Sequence, residues 1–129
     1  MGSRTWVKLY CSKWLEGTIR HETPLVRAVF IDLLALAGSG VYGDSGEIKL
    51  PNGVGLSDKQ LKTILRLTNQ QWVAARLQLQ KTDRIRINTG GVISISNWHR
   101  YQSEYERQKP YRSNLKLQPK VTQEIEKEI

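Results

Sequence analysis

The sequence predicts an α+β fold, one domain over residues 1–112 with a linker or flexible tail over 113–129, and three observations carry that reading. Nearly every residue from Leu25 to Ala37 is apolar, the mark of a central buried helix. Two further helices follow, opened by hydroxyl caps at Ser57 and Thr68. Directly after them, two strictly alternating runs, 84–88 and 92–96, flank a glycine turn, which is the pattern of a β-hairpin.

Each element has its own local cause. Residues 5–15 hold Trp6, Tyr10 and Trp14 but are short and of mixed period. They read as an ordered N-terminal arm, with strand and helix both open. Thr23 caps the first clear helix, and Pro24 suits its first position because proline lacks an N–H that would go unpaired there. Gly38-Ser39-Gly40 stops it. From Gly38 to Gly55 there are six glycines and a Pro-Asn-Gly turn, so the stretch is irregular. Within it, Gly46-Glu47-Ile48-Lys49-Leu50 alternates polar and apolar as a short half-buried strand does.

Ser57 caps a second helix from Asp58 to about Leu65, with Leu61, Ile64 and Leu65 on its apolar side. Thr68 opens a third, and Gln71 three residues on completes a capping box. Trp72, Val73, Leu77 and Leu79 are expected to face the core, with Gln70, Gln71, Ala74, Gln78 and Lys81 opposite. In the hairpin, parity puts Ile85, Ile87, Ile93 and Ile95 on one buried face and turns Arg84 and Arg86 outward. Trp98, Tyr101 and Tyr105 lie at helical spacing, so a short helix is expected to end before Pro110. The polar run 113–129 carries Pro119 and is expected to be a linker or tail.

Helix, short strand, helix, helix, strand, strand, helix is winged-helix order: a helix-turn-helix with a β-hairpin wing, here joined to an N-terminal arm and a C-terminal helix and tail. In such a domain the second helix of the pair fits the major groove and the hairpin reaches the neighbouring backbone or minor groove. The charge agrees. Twenty Lys+Arg against twelve Asp+Glu give +8, which favours polyanions. Residues 59–88 hold seven basic residues and one acidic; residues 97–120 hold six and two. The expected partner is double-stranded DNA. Gln70, Gln71 and Gln78 suit base edges, and Ala74 lets the backbone approach or meets a thymine methyl. Lys59, Lys62, Arg84 and Arg86 suit phosphates, as do Arg100, Arg107, Lys109 and Arg112 beyond the wing, and Arg76 and Lys81 suit phosphates or guanine. For any one of these glutamines taken alone, a solvated polar face is the favoured reading.

The sequence also resembles the N-terminal domains of phage replisome organisers and DnaD-like replication initiation proteins. Trp6-Val7-Lys8-Leu9-Tyr10, the apolar first helix, and the exit from the hairpin through Asn97-Trp98-His99-Arg100-Tyr101-Gln102 carry the likeness, which runs over about residues 5–112 and includes the basic stretch from Arg107 to Arg112. The resemblance implies origin recognition, a homo-oligomer and contact with replication proteins such as a helicase or its loader. Members of that family continue into a second domain, which is expected to be absent here because the chain stops at Ile129.

Other classes fit poorly. With Cys11 alone there is no intrachain disulfide, and a reducing, cytoplasmic setting is expected. Trp6 breaks the myristoylation pattern after Met1-Gly2, and no apolar run reaches the ~20 residues of a membrane span. Two histidines, His21 and His99, offer no metal spacing, and no Gly-Lys-Ser/Thr makes a phosphate loop, so no cofactor, metal or catalytic residue is expected. The rival readings are a protein-interaction or scaffold module, built on the aromatic arm and the Trp98–Tyr105 stripe, and a transcriptional repressor.

Overall fold

A computed structural model describes residues 6–102. The described residues divide into two units at Trp98, the second represented by His99–Gln102. The fold is α+β, with five helices and a four-stranded antiparallel sheet among the described residues.

The arm resolves into a helix. Residues 6–10 have no regular structure, and α1 (Cys11–Glu16) follows, with none of its residues buried. A 3-10 turn over Thr18–His21 then buries Ile19. The next helix, α2 (Pro24–Ala37), starts as its sequence dictates: the Val26 N–H donates to Thr23 Oγ1 at 3.2 Å. It is apolar nearly all round because α4 covers one side and the sheet another. Val29, Leu33 and Ala37 are its most deeply buried residues.

The glycine-rich stretch holds more structure than its composition suggests. A single strand over 46–50 is expected; the structure instead makes a hairpin of β1 (Gly43–Asp44) and β2 (Glu47–Ile48). Its turn residues Ser45 and Gly46 both have positive φ, 54° and 88°, as a tight hairpin of this twist requires. Strands of two residues are too short to show a period, which is why β1 is not legible in the sequence.

Two capping boxes set the next pair, α3 (Asp58–Leu65) and α4 (Asn69–Lys81). The Gln60 N–H donates to Ser57 Oγ and Ser57 N–H to Gln60 Oε1; Thr68 and Gln71 repeat the exchange at 3.1 and 3.0 Å. Each cap contributes about 1 kcal/mol and fixes where its helix begins. Between the helices, Arg66 adopts the left-handed conformation at φ 59°, and Leu67 N–H closes back onto Lys62 O.

Among the residues of α4 expected in the core, one departs from expectation. Trp72, Ala75 and Leu79 form its buried side, and Leu77 is 54% exposed. At about 100° per residue, Leu77 lies some 160° round the helix from Leu79, so the two cannot share a face.

The hairpin is β3 (Ile85–Ile87) and β4 (Ile93–Ile95), paired Ile85↔Ile95 and Ile87↔Ile93. Ile85, Ile93 and Ile95 are buried and Ile87 partly so, as parity predicts. The sheet order is β1-β2-β4-β3, so β4 lies inside the sheet and β3 at its edge. Asn88 Oδ1 accepts from Gly90 and Val92 N–H groups and shapes the tip. Last comes α5 (Trp98–Gln102); Trp98 is buried in the first unit's core. Tyr105 and the expected helix end near Pro110 lie outside the described residues.

Gly46 offers a test of this packing, because a Cβ there would overlap the Trp98 ring and the residue carries positive φ besides. Gly53 has φ 89° with open space around it. Gly46→Ala is expected to cost about 3 kcal/mol and Gly53→Ala about 1 kcal/mol in urea unfolding. Equal losses would show that the ring is not the constraint.

Candidate nucleic-acid interface

The angle between α3 and α4 is held by one carboxylate. Trp72 is fully buried, and its Nε1–H donates to Asp58 Oδ1 at 2.8 Å. The same oxygen lies 3.7 Å from Arg76 Nε, while Arg76 Nη1 donates to Gln80 Oε1 at 3.2 Å. Asp58 thus serves twice: it complements the dipole at the start of α3 and anchors the middle of α4. Arg76, expected to meet phosphate or guanine, is largely engaged within this cluster.

A second carboxylate gathers residues expected to point outward. Gln78 Nε2 donates to Glu22 Oε1 at 3.0 Å, and Arg84 Nη1 donates to Glu22 Oε2 at 2.8 Å. Arg84 Nη2 also donates to Thr18 Oγ1 at 3.0 Å. The side chains of Arg84 and Glu22 are only 14% and 13% exposed. The outward reading of Arg84 is therefore corrected. Its parity matches that of Arg86, but the segment before α2 covers its position and supplies an acid. Gln78 is corrected for the same reason.

The other expected contacts divide clearly. Lys59, Gln70, Ala74, Lys81 and Arg86 are exposed, and Lys62 is half-buried. Gln71 is exposed, with its carbonyl oxygen committed to the cap of α4. Arg86 makes a two-point ion pair with Asp83, at 2.9 and 3.1 Å. This hydrogen-bonded guanidinium, and then its charge, hold the Asp83 carboxyl below the usual carboxylate range. Both side chains remain well exposed, so a phosphate can compete for Arg86. Arg100 is exposed in the second unit, its guanidinium 5.5 Å from the Tyr101 ring centre. Arg107, Lys109 and Arg112 lie outside the described residues.

Two residues join this surface that were not among the expected contacts. Arg66 is exposed at the turn between the helices, and Leu77 is exposed on α4. A helical wheel centred on Trp72 and Leu79 places Leu77 outside. On the arm, Trp6, Leu9 and Leu15 are exposed, while Trp14 lies under the Arg20 guanidinium. Among the described residues, no group of His, Cys, Asp or Glu could hold a metal ion, and no helix is long and apolar enough to cross a membrane.

The chain matches no protein-family model, no curated protein and no solved structure.

Two substitutions separate structural from available arginines. Arg84→Ala leaves a nearly buried carboxylate without its cation and is expected to cost about 2 kcal/mol, seen as a lower urea midpoint. Asp83→Asn suits the left-handed backbone at φ 59° and releases Arg86. It is expected to leave the midpoint nearly unchanged and to strengthen duplex binding several-fold in a filter-binding titration. Unchanged binding would remove Arg86 from the interface.

Proposed function

We propose that this chain is a winged-helix domain that binds double-stranded DNA, with α4 entering the major groove and the β3–β4 hairpin lying against the adjacent backbone. One juxtaposition carries the reading: a locked helix pair with an exposed outer row on α4 runs straight into a hairpin whose edge strand carries the exposed Arg86. The order β2-β4-β3 ties that hairpin to the strand before the helix pair, as a wing needs. Net charge of +8 supports a polyanion as partner.

The biological setting we propose is replication initiation, at an origin and as an oligomer. This rests on the likeness to replisome organisers and DnaD-like initiators carried by the arm and by Asn97-Trp98 through Tyr101-Gln102. The exposed Trp6, Leu9 and Leu15 support a second role for the arm as a contact surface for another chain. The same observation favours the rival reading, a protein-interaction module with no nucleic acid.

Salt titration with a mixed-sequence duplex decides between them. DNA binding through Lys59, Lys81 and Arg86 predicts that log K falls linearly with log salt. Replacing each of these by alanine is expected to flatten the slope by about 0.9 while leaving thermal unfolding unchanged. A chain that forms oligomers in light scattering yet binds no duplex at low salt would favour the interaction module.

A further inference from the structure

The outer row of α4 is narrower than its composition suggests. Gln78 is held by Glu22, Arg76 by Gln80 and Asp58, and the Gln71 carbonyl by the helix cap. Exposed residues at i, i+4, i+7 and i+11 remain in one line: Gln70, Ala74, Leu77 and Lys81. The centre of that line is apolar. Leu77 is 54% exposed in the middle of a helix whose buried side is already filled by Trp72, Ala75 and Leu79, so it is not a spare core residue.

We propose that this row reads thymine. Resting on the DNA-binding reading above, Leu77 and Ala74 meet the 5-methyl groups that thymine alone among the four bases presents in the major groove. Gln70 pairs with the adjacent adenine edge, and Lys81 meets a backbone phosphate. The ligand class is then duplex with A·T steps at defined positions. An apolar strip suits this partner for a specific reason. A leucine facing cytosine N4–H or guanine O6 would bury a polar edge without a hydrogen bond, whereas against a methyl it removes apolar area from water on both sides. Lys81 ends the row with an exposed cation, and a chain of net charge +8 is complementary to a polyanion.

The test compares one mixed A·T duplex with its twin in which every thymine is replaced by uracil, which deletes only the methyl groups. Each methyl contacted is expected to be worth about four-fold in affinity, from ~0.8 kcal/mol per buried carbon. Leu77→Ala keeps helix propensity and should fold normally. It is expected to bring the thymine-to-uracil ratio towards one while leaving the salt slope unchanged. Adding methyls to a G·C duplex as 5-methylcytosine should strengthen wild-type binding and not that of the variant. Equal wild-type affinity for thymine and uracil duplexes, both salt-dependent, would overturn the thymine row and leave DNA binding standing. Failure to bind either duplex at low salt would overturn both. A Leu77→Ala variant that keeps the ratio but has a smaller mass in light scattering would assign the leucine to a protein contact and overturn the proposal.

Discussion

Glu22 sits just before the cap of α2, and its carboxylate decides where two distant parts of the chain can lie. One oxygen takes the amide of Gln78 on α4; the other takes the guanidinium of Arg84 at the entry to β3. Its backbone carbonyl accepts from Arg27 at 2.7 Å, so the residue is itself held in place. An ion pair this far from water contributes little net stability, because desolvating both partners offsets most of their attraction. Its effect is on orientation. An α4 rotated about its axis, or a hairpin entered at another angle, would strand a nearly buried charge. Helix and hairpin therefore keep one arrangement, and the outer row of α4 inherits its direction from it.

The same constraint runs through the helix pair. Asp58 engages the Trp72 indole with one oxygen and lies within ion-pair distance of Arg76. Between them, Glu22 and Asp58 withdraw two arginines and a glutamine from a surface that composition alone would make richer in contacts. What is left outside on α4 is a short row with an apolar centre that ends in Lys81, while Arg86 on β3 keeps only its exposed pair with Asp83. A net charge of +8 describes the chain; only part of it is presented on this face.

The sheet gives the hairpin its second anchor. β4 is hydrogen-bonded on both edges, to β2 and to β3, so the pair is not a free ribbon. The backbone at Gly55 approaches that of Gly91 so closely that a Cβ at Gly55 would overlap it. Glycine is needed there for space, just as Gly46 is needed beside Trp98 for space and for its positive φ. The base of the hairpin and its tip are thus both positioned by residues from the glycine-rich stretch before α3.

Local chemistry is legible in the residues themselves. Thr23-Pro24, Ser57 and Thr68 start their helices where they stand because a hydroxyl cap satisfies backbone groups two or three residues away. The register of Ile85, Ile87, Ile93 and Ile95 follows from a period of two and a glycine turn. Leu77 is within reach of the same reasoning, since its place follows from helical geometry alone. The two-residue β1 is not, because so short a strand has no period. Nor are the fates of Gln78 and Arg84, which depend on an acid 56 and 62 residues earlier. The sequence by itself determined the helices that begin at Pro24, Asp58 and Asn69 and the buried face of the β3–β4 hairpin, because caps, turns and periods depend on neighbours within a few residues. Only the tertiary structure decided which polar side chains remain outside, because a charge's partner is chosen by the packing of α2, α4 and the sheet, and no local pattern records it.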